Sequence, residues 1–275
     1  LANKVSSGDY IWLGAVGTFP SVLEENWNNP SNWNGGRIPN ENADVIIPDA
    51  STTPYAPIIN GDSGFFNNQS ELVLGSVRMR TLDIKRGGLL TVQNGAAPTI
   101  TLYGGPNVLG GGNIFGTWIN QGVFSPSNSK VVLSPDVLTT EATLAGTTQF
   151  YDLEIPTNKK VTLQTQAQIY ISGTLTNAGT LDATTFSNKV VFNGTANQTV
   201  PNTASGVLAY RHLQLAGSGV KSFASTPTIQ GDFLKSGTPT VTIPAQIRFT
   251  GAESQSIFGY PYQQIEFSGI GTKTF

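Results

Sequence analysis

The chain repeats itself. A stretch rich in β-branched residues begins at Lys130 as KVVLSPD, returns at Lys189 as KVVFNGTANQTV, and returns again at Gln246 as QIRFTGAESQSIF, at spacings of 59 and 57 residues. A second column travels with it: FYDLEI (150–155), YRHLQL (210–215) and YQQIEF (262–267), with MRTLDI (79–84) as a more distant first copy. Apolar and polar residues alternate in these segments, as in Leu153-Glu154-Ile155, and a period of two means a strand with one buried face. A third column, GTWINQG (116–122), GTLTNAG (173–179) and GDFLKSG (231–237), brackets each strand with glycines suited to sharp bends.

A regular spacing of this size is the signature of a stacked repeat architecture. It is too short for a complete sandwich domain of roughly 100 residues. No stretch sustains a 3.6-residue apolar period, so helix is not expected. We read about six short strands in each repeat, which suits two coils of a three-faced parallel solenoid. On that reading Leu133, Phe192 and Phe249 form one inward ladder, and Trp118, Leu175 and Phe233 another. The expected fold class is therefore all-β, a right-handed parallel β-helix with an aromatic N-terminal cap; the alternative is a string of tandem β-sandwich domains. The cap and lead-in segment takes residues 1–43 and the repeats take 44–275, divided at approximately 44–129, 130–188, 189–245 and an incomplete 246–275. Because the last copy stops after SGIGTKTF, where its predecessors run on to another strand, the polypeptide is expected to continue past Phe275.

Composition narrows the function classes. Charged residues are 12% of the chain, about half the roughly 25% of ordinary soluble domains, and Gly, Thr, Asn, Ser and Gln fill the polar positions, the palette of an extracellular β protein. The net charge of −2 is spread singly, with no basic stripe to hold phosphates, so nucleic acid is not an expected partner. No cysteine is present to form disulfides or thiolate metal sites. No window holds 18 apolar residues, so no membrane span is expected, and the segment beginning at Leu1 has no signal-peptide pattern.

Three tryptophans fall in the first 33 residues: Trp12, then Trp27 and Trp33 within WNNPSNW. Together with Trp12-Leu13-Gly14, Pro39 and the strand Asp44-Val45-Ile46-Ile47-Pro48, this opening resembles that of the repeat regions in very large secreted surface proteins of Bacteroidota. The later segment Val190–Val200 (VVFNGTANQTV), followed by Leu213-Gln214-Leu215, is similar to the same group. The resemblance spans nearly the whole chain and implies export by the type IX secretion system, an extracellular or cell-surface location and an adhesin-like role. It transfers no catalytic residue, and the separate C-terminal export domain of that group is absent from this sequence.

Chemistry is sparse. His212 is the only histidine and sits at the polar parity of its strand, where a solvated surface role outweighs catalysis. Asp152, Glu154, Asp83 and Glu266 would stack along one outer face, and paired acids could serve glycoside hydrolysis; Gln214 and Gln264 at matching positions argue for a solvent-facing ladder instead. The loop Tyr103–Gly112 lacks the Gly-Lys-Ser/Thr ending of a phosphate loop and reads as an insertion, with Phe115 and Trp118 beside it. Asn68, Asn193 and Asn197 lie in N-x-S/T sequons.

Catalytic residues, cofactors and metals are not expected. The chain is expected to be a non-enzymatic structural or adhesive segment, whose partners are further domains of the same polypeptide, other copies of itself, or surface glycans. Glycan contact would fall to Trp27, Trp33, Trp118 or Tyr262, stacking on sugar rings, and Trp12, Trp27 and Trp33 are the candidate cap over the first coil. A polysaccharide-cleaving β-helix enzyme is the remaining alternative.

Overall fold

Short strands bounded by Gly, Asn, Ser and Pro cannot satisfy their backbone groups alone, and they find partners one coil away. In the computed structural model, which describes residues 8–14, 25–67, 70–104, 117–135, 141–185 and 187–275, the strands pair in parallel to build a β-solenoid. The one exception among the described strands is an antiparallel hairpin, Gly64–Phe66 with Leu72–Leu74. A tandem β-sandwich would need antiparallel sheets throughout, so that alternative is set aside. Among the described residues the only helix is a single 3-10 turn, Pro30–Asn32.

The chain divides into two compact units, Leu1–Thr148 and Gln149–Phe275. In the first unit one ladder runs through Gly8–Ile11, Ala43–Ile47, Thr81–Ile84, Trp118–Asn120 and the start of Glu141–Phe150. Its register places Tyr10, Val45, Leu82, Trp118 and Leu144 one above another, and all five are buried. A second ladder joins Ile58–Ile59, Leu89–Val92 and Val123–Ser125, and a third joins Ser76–Met79, Thr99–Leu102 and Lys130–Leu133. Alternate residues face the interior, as Val77 and Met79 do over Ile100 and Leu102. Full burial of each such side chain contributes roughly 1.5–3 kcal/mol.

Among the described residues before 43, two short segments pair in the same parallel sense as the coils. Gly8–Ile11 lies parallel to Ala43–Ile47, and Asn26 bridges in parallel to Ile58. The aromatic N-terminal segment is thus joined to the first repeat by parallel pairing at these two places.

In the second unit three parallel ladders run from Gln168 onward, and in them each strand as far as Pro227–Ile229 pairs with its third successor, while Gln246–Phe249 pairs with its second. One ladder is Gln168–Ile171, Lys189–Phe192, His212–Leu215 and Phe233–Lys235. A second is Gln198–Val200, Val220–Phe223 and Thr240–Val241, and a third is Leu208–Tyr210, Pro227–Ile229, Gln246–Phe249 and Gln264–Phe267. Three strands therefore make one coil.

This spacing corrects the expected relation between repeat and coil. Gln246–Phe249 is the eighth strand after Lys189–Phe192, and eight is not a multiple of three. Phe192 accordingly lies in the ladder with Ile171 and Leu215, whereas Phe249 lies with Ile229 and Phe267. Leu175 and Phe233 are separated in the same way, Leu175 pairing with Leu153 and Phe233 with Leu213. The two proposed inward ladders do not exist as such. What each repeat preserves is a strand's relation to its neighbour one coil away, while the face it occupies changes from copy to copy.

Candidate functional site

The tryptophans come first, because they are the side chains that could meet a sugar. Trp12, Trp27 and Trp118 are 0% exposed and Trp33 is 1%. The Trp12 and Trp27 indoles each meet Trp33 edge-on, with centroids 5.0 and 4.8 Å apart. Local structure fixes this packing: the Asn29 side chain caps the Pro30–Asn32 turn, and Trp33 closes it. Trp33 Nε1–H donates to the Trp27 carbonyl at 2.9 Å, and Trp12 Nε1–H donates to Tyr55 O at 2.7 Å. Trp118 Nε1–H donates to Thr148 Oγ1 at 3.0 Å, and its ring meets Phe124 edge-on. None of these four rings presents a face on which a pyranose could stack, which removes Trp27, Trp33 and Trp118 as glycan contacts. Trp118 takes an inward strand position, and Trp27 and Trp33 are folded inward around the Pro30–Asn32 turn.

Tyr262 is half-buried. Its hydroxyl donates to Phe258 O at 2.7 Å, and its ring lies among Tyr260, Phe258, Phe275 and Phe249 at centroid distances of 5.3 to 6.4 Å. Burial raises its pKa above the ordinary tyrosine value. The more open rings of this cluster are Phe267 and Phe275, at 48% and 62% exposure, two positions that no sequence pattern marked as accessible.

His212 is not the solvated surface residue its parity suggests. It is half-buried, the Asp232 amide N–H donates to its Nδ1 at 2.9 Å, and Asp232 Oδ2 stands 3.5 Å from the same nitrogen. With Nδ1 occupied as an acceptor, the neutral imidazole carries its proton on Nε2. Burial is the main cause holding the His212 pKa below its ordinary value, with Asp232 acting in the opposite sense. Gly231 is required beneath the ring, since a Cβ there would lie 2.5 Å from His212 Cε1. The carboxylate enters from the next coil, 20 residues on in sequence, which a linear reading cannot see.

The acids do not form a shared row. Asp152 Oδ1 accepts from the Thr174 amide at 2.6 Å, and Glu154 is in register with Thr176. Glu266 is in register with Arg248 and accepts from its Nε at 2.8 Å, while Asp83 accepts from Lys85 Nζ at 2.5 Å. Within the second unit Glu154 and Glu266 occupy different ladders, so no paired-carboxylate geometry arises from them. Among the described residues no group of three or more His, Asp or Glu side chains comes together, and no helix is long and apolar enough to cross a membrane. The loop from residue 105 to 116, with Phe115, and Asn68 lie outside the described residues.

The sequence reading overlooked four polar residues that the repeat carries faithfully. Gln198 is buried; its Nε2 donates to Ile171 O and Gly173 O, and its Oε1 accepts from the Gly194 amide. Gln255 repeats this against Ile229 O and Gly231 O. Lys221 is fully buried, its Nζ donating to Gly194 O, Ala196 O and Ser218 O at 2.7, 3.2 and 2.7 Å. Lys273 repeats it at Gly251 O and Glu253 O. Burial lowers the Lys221 pKa. These are staples between coils: they satisfy carbonyls at corners where no strand can. Aligning NGTANQTV on TGAESQSI, the shared glutamine is the signal that could have found them.

Compared with known proteins, the chain matches no protein-family model, no curated protein and no solved structure.

Proposed function

We propose that this chain is a non-enzymatic structural and adhesive segment of a large secreted or cell-surface protein, acting as a β-helical spacer that joins or presents further domains of the same polypeptide. The observation that supports this most is how its polar chemistry is used. Glutamine, lysine, histidine and carboxylate side chains bind backbone groups or single ion-pair partners, and the recurring Gln198/Gln255 and Lys221/Lys273 staples hold coil to coil. Such a molecule is built to keep its form. The low charge content and the resemblance of its opening and repeats to secreted Bacteroidota surface proteins support the extracellular placement.

Antibodies against the chain test the reading on intact cells that make the full gene product. Labelling without permeabilisation, together with release of fragments by external protease, is the expected result. Labelling only after permeabilisation would sink it. A polysaccharide-degrading role makes a different forecast: reducing ends released from a polysaccharide, with release abolished in Asp152→Asn or Glu154→Gln.

A further inference from the structure

Three arginines are half-buried among the described residues: Arg78, Arg80 and Arg211. Arg80 is paired with Asp44, its Nε donating at 2.7 Å, and Arg211 donates to Glu253 at 2.6 Å. Among the described residues no carboxylate pairs with Arg78. Its Nε is shut off from solvent and meets no acceptor, and its Cζ lies 3.9 Å from the centroid of the Phe65 ring and 5.9 Å from that of Tyr103. Glu41 lies close enough to act on the Tyr103 hydroxyl, yet it forms no ion pair with Arg78.

The fold explains how this cation came to be flanked by rings. Arg78 sits at an outward position of Ser76–Met79, in register with the outward Thr101 of Thr99–Leu102. The hairpin Gly64–Phe66 with Leu72–Leu74 is inserted just before this strand and brings Phe65, 2% exposed, onto the guanidinium. Tyr103 follows Leu102 directly and supplies the second ring.

Removing part of a guanidinium from water without an acceptor costs free energy that a cation–π contact offsets only in part. The other two half-buried arginines each have a carboxylate of the chain at a terminal nitrogen, Arg80 at Asp44 and Arg211 at Glu253, although Arg211 Nε, like Arg78 Nε, meets no acceptor. We infer that Arg78, with Phe65, Tyr103 and Thr101 around it, is a binding site for an external oxyanion, a carboxylate or sulfate held by the terminal nitrogens of the guanidinium. The planar fork matches such groups in a bidentate manner, and an adjoining aromatic ring suits the apolar face of a sugar that carries one. The site takes either an acidic glycan or a free anion, and it stands whether or not the chain is a surface spacer.

Titration of the 15N-labelled chain, following the arginine Nε–Hε signals, tests this directly. The Arg78 signal is assigned by its loss in Arg78→Lys. A saturable shift with tri-galacturonate or with sodium sulfate, and none with neutral maltotriose, is expected, together with roughly tenfold weaker binding in Arg78→Lys, read in both chains from the backbone amide signals of Thr101 and Tyr103. Tighter binding of tri-galacturonate than of sulfate identifies a glycan as the bearer; the reverse order identifies a free anion. No saturable shift with either anion overturns the assignment, as does an equal response to maltotriose or equal affinity in a folded Arg78→Lys. Should that variant not fold, the wild-type titrations decide alone, with Arg78 assigned through backbone connectivity.

Discussion

Lys221 donates to three carbonyls while fully buried. Lys221→Met keeps the stem but leaves those oxygens without a donor, so we expect a loss of about 3 kcal/mol, read as a lower urea midpoint. Trp33 touches both other indoles of its cluster, and Trp33→Ala is expected to cost about 3–5 kcal/mol through the cavity it leaves. His212 adds a pH dependence. Its folded pKa lies below the ordinary value of 6.5, so between the two values the unfolded chain binds more protons than the native one. Stability contributed by the neutral imidazole is complete above pH 6.5 and is lost as pH falls through the folded pKa. Urea midpoints at neutral and mildly acid pH check this: the acid-side decline should be shallower in His212→Gln.

Strands here are held in place by their corners as much as by their ladders. At Gly194 a Cβ would lie 2.1 Å from Ser172 O, a backbone atom that cannot step aside. Gly194→Ala is therefore expected to destabilise by about 3 kcal/mol, whereas Gly61→Ala, with nothing within 4 Å of the added atom, should be near neutral. Thermal unfolding of the two variants side by side makes the comparison, and equal midpoints would defeat it. The strands themselves were readable from alternation, since Val190 and Phe192, or Leu213 and Leu215, announce a buried face without any partner being known. The corners were not. Gln198 and Lys221 look like surface residues in the sequence because their partners lie 25 to 27 residues away.

For the molecule as a whole, the sequence repeat, seven strands from Lys130–Leu133 to Lys189–Phe192 and eight from there to Gln246–Phe249, and the three-strand coil have different meanings. Removing residues 190–246 deletes one full sequence repeat and joins Lys189 to Ile247, the position equivalent to Val190. Every remaining strand in that region then meets a neighbour of the kind it already has, because the repeat preserves neighbour relations: Phe192 on Ile171 is replaced by its counterpart Phe249. Removing residues 213–232 deletes one coil and keeps each strand on its face, but it takes away Ile229 and Gly231, the carbonyls that Gln255 staples, and Lys221 with them. We expect the longer deletion to retain the higher thermal midpoint, measured by far-UV circular dichroism. The opposite order would show that face identity outranks neighbour identity.

Sequence by itself determined the class of structure: short β-strands, buried on alternate residues, recurring at a near-regular period. Those properties are local, set by each side chain's partition between water and interior, and they need no knowledge of partners. Tertiary structure alone decided which strands stack, which set a repeat of seven or eight strands against a coil of three. It also decided that the tryptophans are buried, that His212 meets Asp232, and that Arg78 has, among the described residues, no carboxylate such as Arg80 and Arg211 have. These depend on corner geometry and loop length, which bring residues together across one coil, and no local pattern records that distance.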